Sequence, residues 1–389
     1  MEGKLAASGR LYLPERLAFS MGLFYSAGLL APLAPHPQTA QGGRISAEKH
    51  MSEDYRSIAR ERMKGHCRVC PACNGRACVG EVPGMGGLGT GSTFQNNYEA
   101  LAQVTLNMTA LHDVKVPDTG VTILGMNLKV PALAAPIGGV SFNMTAAVSE
   151  DDYIEAVLGG CEAAGTVGCS GDGVPPFIID AAEKGLKSHP GIPFVKPWEG
   201  AELFEKIDRM MACKPLALGM DVDAAGLVSL REMGRPVAPM TVHELTRVIE
   251  HVHRQDCAFI VKGIMTPRDA EKAVAAGADA IVVSNHGGRI LDHCPGTADV
   301  LPRIAAALRG RVPIIVDGGV RSGVDVLKML ALGADAVFIG RPVCVAAIGG
   351  GLDGVRIYFE GIRTQLAQAM LLTGVGTVGD INPELLFQG

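Results

Sequence analysis

The sequence lacks any excess of positive charge. Its 35 Lys and Arg against 40 Asp and Glu give a formal net charge of −5, which leaves no basic footprint for nucleic acid or an anionic membrane. It lacks the cysteine density of a disulfide scaffold, since ten cysteines in 389 residues are too sparse for one. Reduced thiols and a cytoplasmic location are therefore expected. No GxxxxGKS/T string and no well-placed GxGxxG occur, which removes the P-loop and the dinucleotide fingerprint. A clean membrane span is missing too. Leu17 to Ala34 is apolar and follows Arg10 and Arg16, but Pro32 and Pro35 break it and no small-x-small cleavage site precedes Pro35. Residues 1–50 are expected to be a leader or non-core segment without stable membrane insertion, and Met51 opens a charged, helix-favouring stretch, MSEDYRSIARERMKG.

What is present is a core-rich soluble composition, 48% hydrophobic and 19% charged, with 50 glycines and one tryptophan. A (β/α)8 barrel takes ~250 residues, so one barrel with an N-terminal extension fits the length. From about residue 130, short apolar runs alternate with helical stretches. The runs are 131–139, 165–171, 193–198, 215–223, 258–264, 280–288, 313–319 and 336–342. Each is nearly continuous in apolar residues, as parallel strands buried on both faces require. Eight in a row favour a closed TIM barrel over an open sheet, giving a barrel over 121–382 and a cysteine-containing extension over 51–120. The terminal ELLFQG resembles a protease-tag remnant and is set aside from the fold.

Polar residues gather at the C-terminal ends of the runs: Ser170, Lys196, Asp221, Lys262, His286, Asp317 and Arg341. In a barrel those ends form one face, where active sites sit. Two glycine turns, DGGVR with Gly318, Gly319 and Arg321, and IGRP with Gly340 and Arg341, follow the seventh and eighth runs. Backbone N–H groups at helix starts beside arginine make a phosphate site. In SNHGGR, His286 closes the sixth run and Arg289 follows three residues later. A histidine beside a carboxylate-binding arginine suits proton abstraction from an anionic substrate. Asp221 is the expected partner that orients the imidazole, and Lys262 would stabilise negative charge at the barrel mouth.

From VKGIMTPRDAEKAVAAGADAIVVSNHGGR through DGGVRSGVDVLKMLALGADAVFIGRPV the chain resembles the FMN-dependent 2-hydroxy acid oxidases and dehydrogenases, which include lactate and glycolate oxidases. The resemblance covers roughly the last 130 residues closely and the first four strands only loosely. It implies that Lys262 contacts the flavin, His286 is the base and Arg289 clamps the substrate carboxylate. It also implies that Asp317, Gly319, Arg321, Gly340 and Arg341 hold the ribityl phosphate. Pro136, Ile137, Gly138, Ser170 and Ser284 would line the flavin ring, and Lys196 falls where the family has a flavin-contacting glutamine. The expected reaction is oxidation of a small 2-hydroxy acid, lactate-like, in a homo-oligomer. The alternatives are an isomerase on the same barrel, resembling type 2 isopentenyl diphosphate isomerase, and a non-catalytic flavin or metal-binding sensor.

Three features depart from the family. Its N-terminal tyrosine motif is replaced by cysteines, Trp198 stands where a substrate-contacting tyrosine is expected, and DVDAAGLVSL offers no second carboxylate-binding arginine. Arg231 and Arg235 are nearby but out of register. The cysteines Cys67, Cys70, Cys73 and Cys78 form C-x2-C-x2-C-x4-C, which is compatible with free thiols, a four-iron four-sulfur cluster or one zinc ion. The GEVPGMGGLGTGS that follows is too glycine-rich for a helix and is expected to cover the barrel mouth.

Overall fold

The computed structural model describes residues 55–387. The apolar run at 17–34 and the residues just after Met51 lie outside them. All eight expected runs form strands, here β1 (Ala132–Ala134), β2 (Gly168–Ser170), β3 (Gly191–Val195), β4 (Leu218–Asp221), β5 (Phe259–Ile264), β6 (Ala280–Val283), β7 (Ile314–Val316) and β8 (Ala336–Ile339). Each pairs in parallel with the next and β8 closes on β1. The fold is a (β/α)8 TIM barrel.

Alternation along the strands explains how the barrel carries a site. Leu133, Cys169, Ile192, Phe194, Ile260, Val282, Ile315 and Phe338 belong to one cluster inside the barrel, while Val195, Val261, Ile281, Val283 and Val316 belong to the shell under the helices. Side chains repeat with a period of two along a strand. The next inward positions beyond Phe194, Ile260, Val282 and Ile315 are therefore Lys196, Lys262, Ser284 and Asp317. The polar layer sits on top of the apolar one by register alone. A short antiparallel hairpin, Val121–Ile123 with Met126–Leu128, closes the opposite end, where Ile123, Met126 and Leu128 pack with the strand starts.

The extension is built onto the barrel. Arg62 donates to the Ile348 carbonyl (2.8 Å) and Thr145 donates to that of Arg62 (2.6 Å). Helix α1 (Ser92–Gln103) buries Thr93, Phe94, Asn97 and Leu101. Within it, Asn97 exchanges two amide hydrogen bonds with Asn285, at 2.8 and 2.9 Å. The long apolar stretch Arg341–Thr373 is two helices meeting at a kink at Gly351 (φ 57°), and 61% of its most apolar window is buried in the protein. One expectation is corrected at the C-terminus. Leu386 bridges to Leu106, and Phe387 donates to the Thr105 carbonyl at 2.9 Å. Residues 385–387 thus supply backbone partners to residues 105–107, so this described part of the terminal segment belongs to the fold.

Candidate active site

The cleft at the C-terminal ends of the strands is lined by most of the residues expected there. The backbone of Pro136, Ile137 and Gly138 forms one wall, and Lys196, Asp221, Lys262, His286 and Arg289 stand around the mouth. Asp317, Gly318, Gly319, Arg321, Gly340 and Arg341 form the far end. Gly84 and Met85 of the extension also line it, and no helix forms over 80–91, as the glycine-rich composition predicts.

Lys262 donates to Asp221 at 2.9 Å, with both side chains buried. Burial alone would raise the Asp221 carboxyl, but the charges of Lys262, His286 and Lys196 outweigh it and hold the pKa at about 2. Burial alone would lower Lys262, but Asp221, Asp223 and Asp317 outweigh it and raise it. Both shifts describe the same charged pair. Lys196 adds a second ammonium 4.0 Å from Asp221.

Asp221 therefore does not orient His286. Its carboxylate is taken by Lys262, and the ring is met instead by Asp223, whose Oδ1 lies 3.1 Å from His286 Nδ1. Gly263 makes this possible. The strand register shifts at that point, Gly263 has φ 107°, and a Cβ there would come within 2.6 Å of the Asp223 Cβ. Lys262 Nζ is 3.5 Å from the same ring nitrogen, but an ammonium and a carboxylate demand opposite tautomers. The shorter contact to an acceptor-only carboxylate places the proton on Nδ1 and leaves Nε2 basic. Asp221, Asp223 and His286 have the spacing of a metal-ligand trio, yet Lys262 already supplies the cation among them.

His286 lies beyond β6, in a turn with φ 56°. Left-handed backbone at a non-glycine residue is uncommon and concentrates at functional sites. Ser284 holds that turn, accepting from the His286 N–H (3.0 Å) and donating to Asp317 (2.8 Å). It is a positioning residue and does not line the cleft. Ser170 does not line the cleft either; it follows the inward Cys169 by one residue and so stands out of the inward register, next to the cleft-lining Gly171. Trp198 is outside the cleft as well. Its indole N–H donates to Asp172 (2.5 Å) and Lys206 sits 4.1 Å above the ring. Where the second arginine would stand, the wall is Leu227, Ser229, Leu230 and Met233. Asp223, Asp172, Asn97 and Ser229 were not singled out from sequence. The DVD string was the available signal for the first; nothing local marked the others.

The relatives are consistent with this geometry. The family described as FMN-dependent dehydrogenase matches residues 84–233 and 231–388. The chain belongs to this family. It is 32% identical to the L-lactate oxidase of Lactobacillus jensenii over 74% of this chain and 76% of that one. Identity to the 2-hydroxyacid oxidase of Dictyostelium discoideum reaches 54%, over 129 residues that span 33% of each protein. A solved mandelate oxidase variant with a C4a-OH-FMN adduct superposes with TM-score 0.67 at 28% identity, covering 85% of this chain and 97% of that one.

The family's cofactor, FMN, fits the residues present. Asp317 Oδ1 is buried without a partner from the protein, and a buried polar atom of that kind in the cleft wall calls for a ligand. Burial pushes the Asp317 carboxyl up, against the charge of Lys262. At the far end Arg321 and Arg341 give donors to the extension, to Cys73 O (2.9 Å) and to Met85 O (2.7 Å) respectively. A guanidinium has five N–H donors, so others remain for a phosphate.

Proposed function

We propose that this chain oxidises a small 2-hydroxy acid to the 2-oxo acid with FMN. What carries the reading is the pair His286–Asp223 beside the pair Lys262–Asp221, in one cleft with Arg289. FMN, when bound, supplies the acceptor for the two electrons. Arg321, Arg341 and the turns at Gly318, Gly319 and Gly340 would hold its phosphate. Pro136, Ile137, Gly138 and Lys196, with Asp317, would hold the rest.

Arg289 binds the substrate carboxylate. Its Nε is buried without a protein partner, and burial lowers its pKa, so an incoming anion restores what the guanidinium lost on leaving water. His286 Nε2 takes the substrate proton. Asp223 receives the Nδ1–H, fixes the tautomer and stabilises the imidazolium that forms. Lys262 keeps a fixed positive charge at the strand end, where negative charge develops. Gly84 and Met85 bring the extension against the cleft.

An isomerase acting on a diphosphate would need further cations at the substrate end. There the wall is Leu227, Leu230 and Met233. The test is chemical. Flavin-loaded protein given short 2-hydroxy acids and a dye acceptor should release the matching 2-oxo acid, trapped as its hydrazone. A panel that yields none would overturn the reading.

A further inference from the structure

A second cavity, about 530 Å³, lies between the extension and the phosphate end of the barrel. Cys67, Cys70, Cys73 and Cys78 all line it. Met85, Gly319, Arg321 and Arg341 line both this cavity and the active-site cleft, so the two share a wall. We propose that the four cysteines hold a four-iron four-sulfur cluster there, through which electrons leave the flavin site one at a time.

Thiolate spacing favours the cluster over zinc. A single ion ~2.3 Å from each sulfur draws all of them close together. Among the described residues, the potential ligand atoms found in threes within 4.8 Å of one another are those of Asp221, Asp223 and His286, not the cysteines. A four-iron cluster takes one thiolate per iron and needs the wider set. Donors from the loop and from the barrel already point at sulfur. The Val69 N–H lies 3.4 Å from Cys67 Sγ, and Arg321 Nη2 lies 3.7 Å from Cys73 Sγ. Such hydrogen bonds, with the two arginine charges, offset the negative charge of a thiolate-bound cluster. Val69 is buried at φ 46°. A β-branched residue in that conformation is strained, and it stands between Cys67 and Cys70, which line the cavity with it.

The electron-exit half rests on the flavin reading. Each substrate oxidation releases two electrons and two protons. The cluster carries one electron per pass, so two passes to an external one-electron carrier complete one turnover, and the protons go to solvent.

The test uses the full chain, reconstituted anaerobically with ferrous iron and sulfide and then desalted. It should retain about four irons and four acid-labile sulfides per chain. Visible absorbance should broaden beneath the flavin bands, and dithionite should raise a paramagnetic signal. Cys70→Ser should lower iron and sulfide about tenfold or more, while Cys213→Ser should not. One zinc without sulfide, or no retained metal with all four thiols free to alkylate, would overturn the cluster. If Cys70→Ser fails to fold, the wild-type iron and sulfide content decides alone. Flavin released by heat from the same samples reports separately on the cleft. Adding a 2-hydroxy acid anaerobically should raise the same paramagnetic signal. A flavin that bleaches while the cluster stays oxidised would overturn the electron-exit half.

Discussion

His286 Nδ1 lies 3.1 Å from Oδ1 of Asp223, while Asp221, two residues earlier, gives its carboxylate to Lys262 at 2.9 Å. One short segment thus supplies two carboxylates with separate tasks. Asp223→Asn should keep the flavin but slow its reduction by substrate by ~10²–10⁴-fold, as read in anaerobic stopped-flow. A rate within a few-fold of wild type would reassign the dyad.

Asp221→Asn should act on stability, because it strands the buried Lys262 charge at a cost of about 3–5 kcal/mol. Despite the raising effect of burial, the Asp221 carboxyl is lowered from 3.8 to about 2 in the folded protein. A lowered folded value contributes stability above the unfolded value and loses it as pH falls through the folded one. The gap between wild type and variant should therefore be full above about pH 4 and narrow toward pH 2. Urea titrations across that range check it. A gap that widens on acidification would contradict the charged pair.

Gly319 has φ 84°, and a Cβ there would come within 2.2 Å of the Asn97 carbonyl on α1. Gly319→Ala should displace the helix from the phosphate turn, costing about 1–3 kcal/mol and weakening FMN. Equilibrium dialysis against FMN and thermal melts read the two effects. Unchanged flavin affinity would mean that this turn does not hold the phosphate.

Asp292 joins the extension to the loop after β6. It accepts from the Thr90 N–H and hydroxyl and from those of Ser92, at 2.5–3.1 Å. Although burial pushes the carboxyl up, these donors hold it well below the usual range. Asp292→Ala should speed proteolysis within 80–92 and raise KM, since Gly84 and Met85 line the cleft. Wild-type cleavage rates would contradict that role.

Trp198→Phe tests the displaced expectation. With the indole bound to Asp172 outside the cleft, the variant should lose stability by about 1–3 kcal/mol and leave KM nearly unchanged. A rise in KM of about tenfold, worth ~1.4 kcal/mol, would return Trp198 to the substrate wall.

The barrel was readable because each strand is buried on both faces, so Ile260–Val261 or Val282–Val283 announce themselves as continuous apolar runs. The cleft was readable for the same reason, since Lys196, Lys262 and Asp317 interrupt those runs at the next inward position. Asp223 was not. It leaves the strand in a short 3-10 turn and reaches His286 through the space Gly263 leaves open, a relation spanning 63 residues. Ser170 was placed in the ring wall because the strand end was read without its inward or outward parity, and Ser284, which is inward, is taken up by the His286 turn and Asp317. Asn97 and Asp292 act through tertiary docking of the extension, which no local pattern encodes.

The most direct measurement is the anaerobic absorbance of the flavin-loaded protein, wild type and His286→Ala, titrated with a panel of short 2-hydroxy acids. The account predicts that one acid bleaches the wild-type flavin band, and that the variant binds flavin but stays oxidised. A variant that bleaches at the wild-type rate would contradict it.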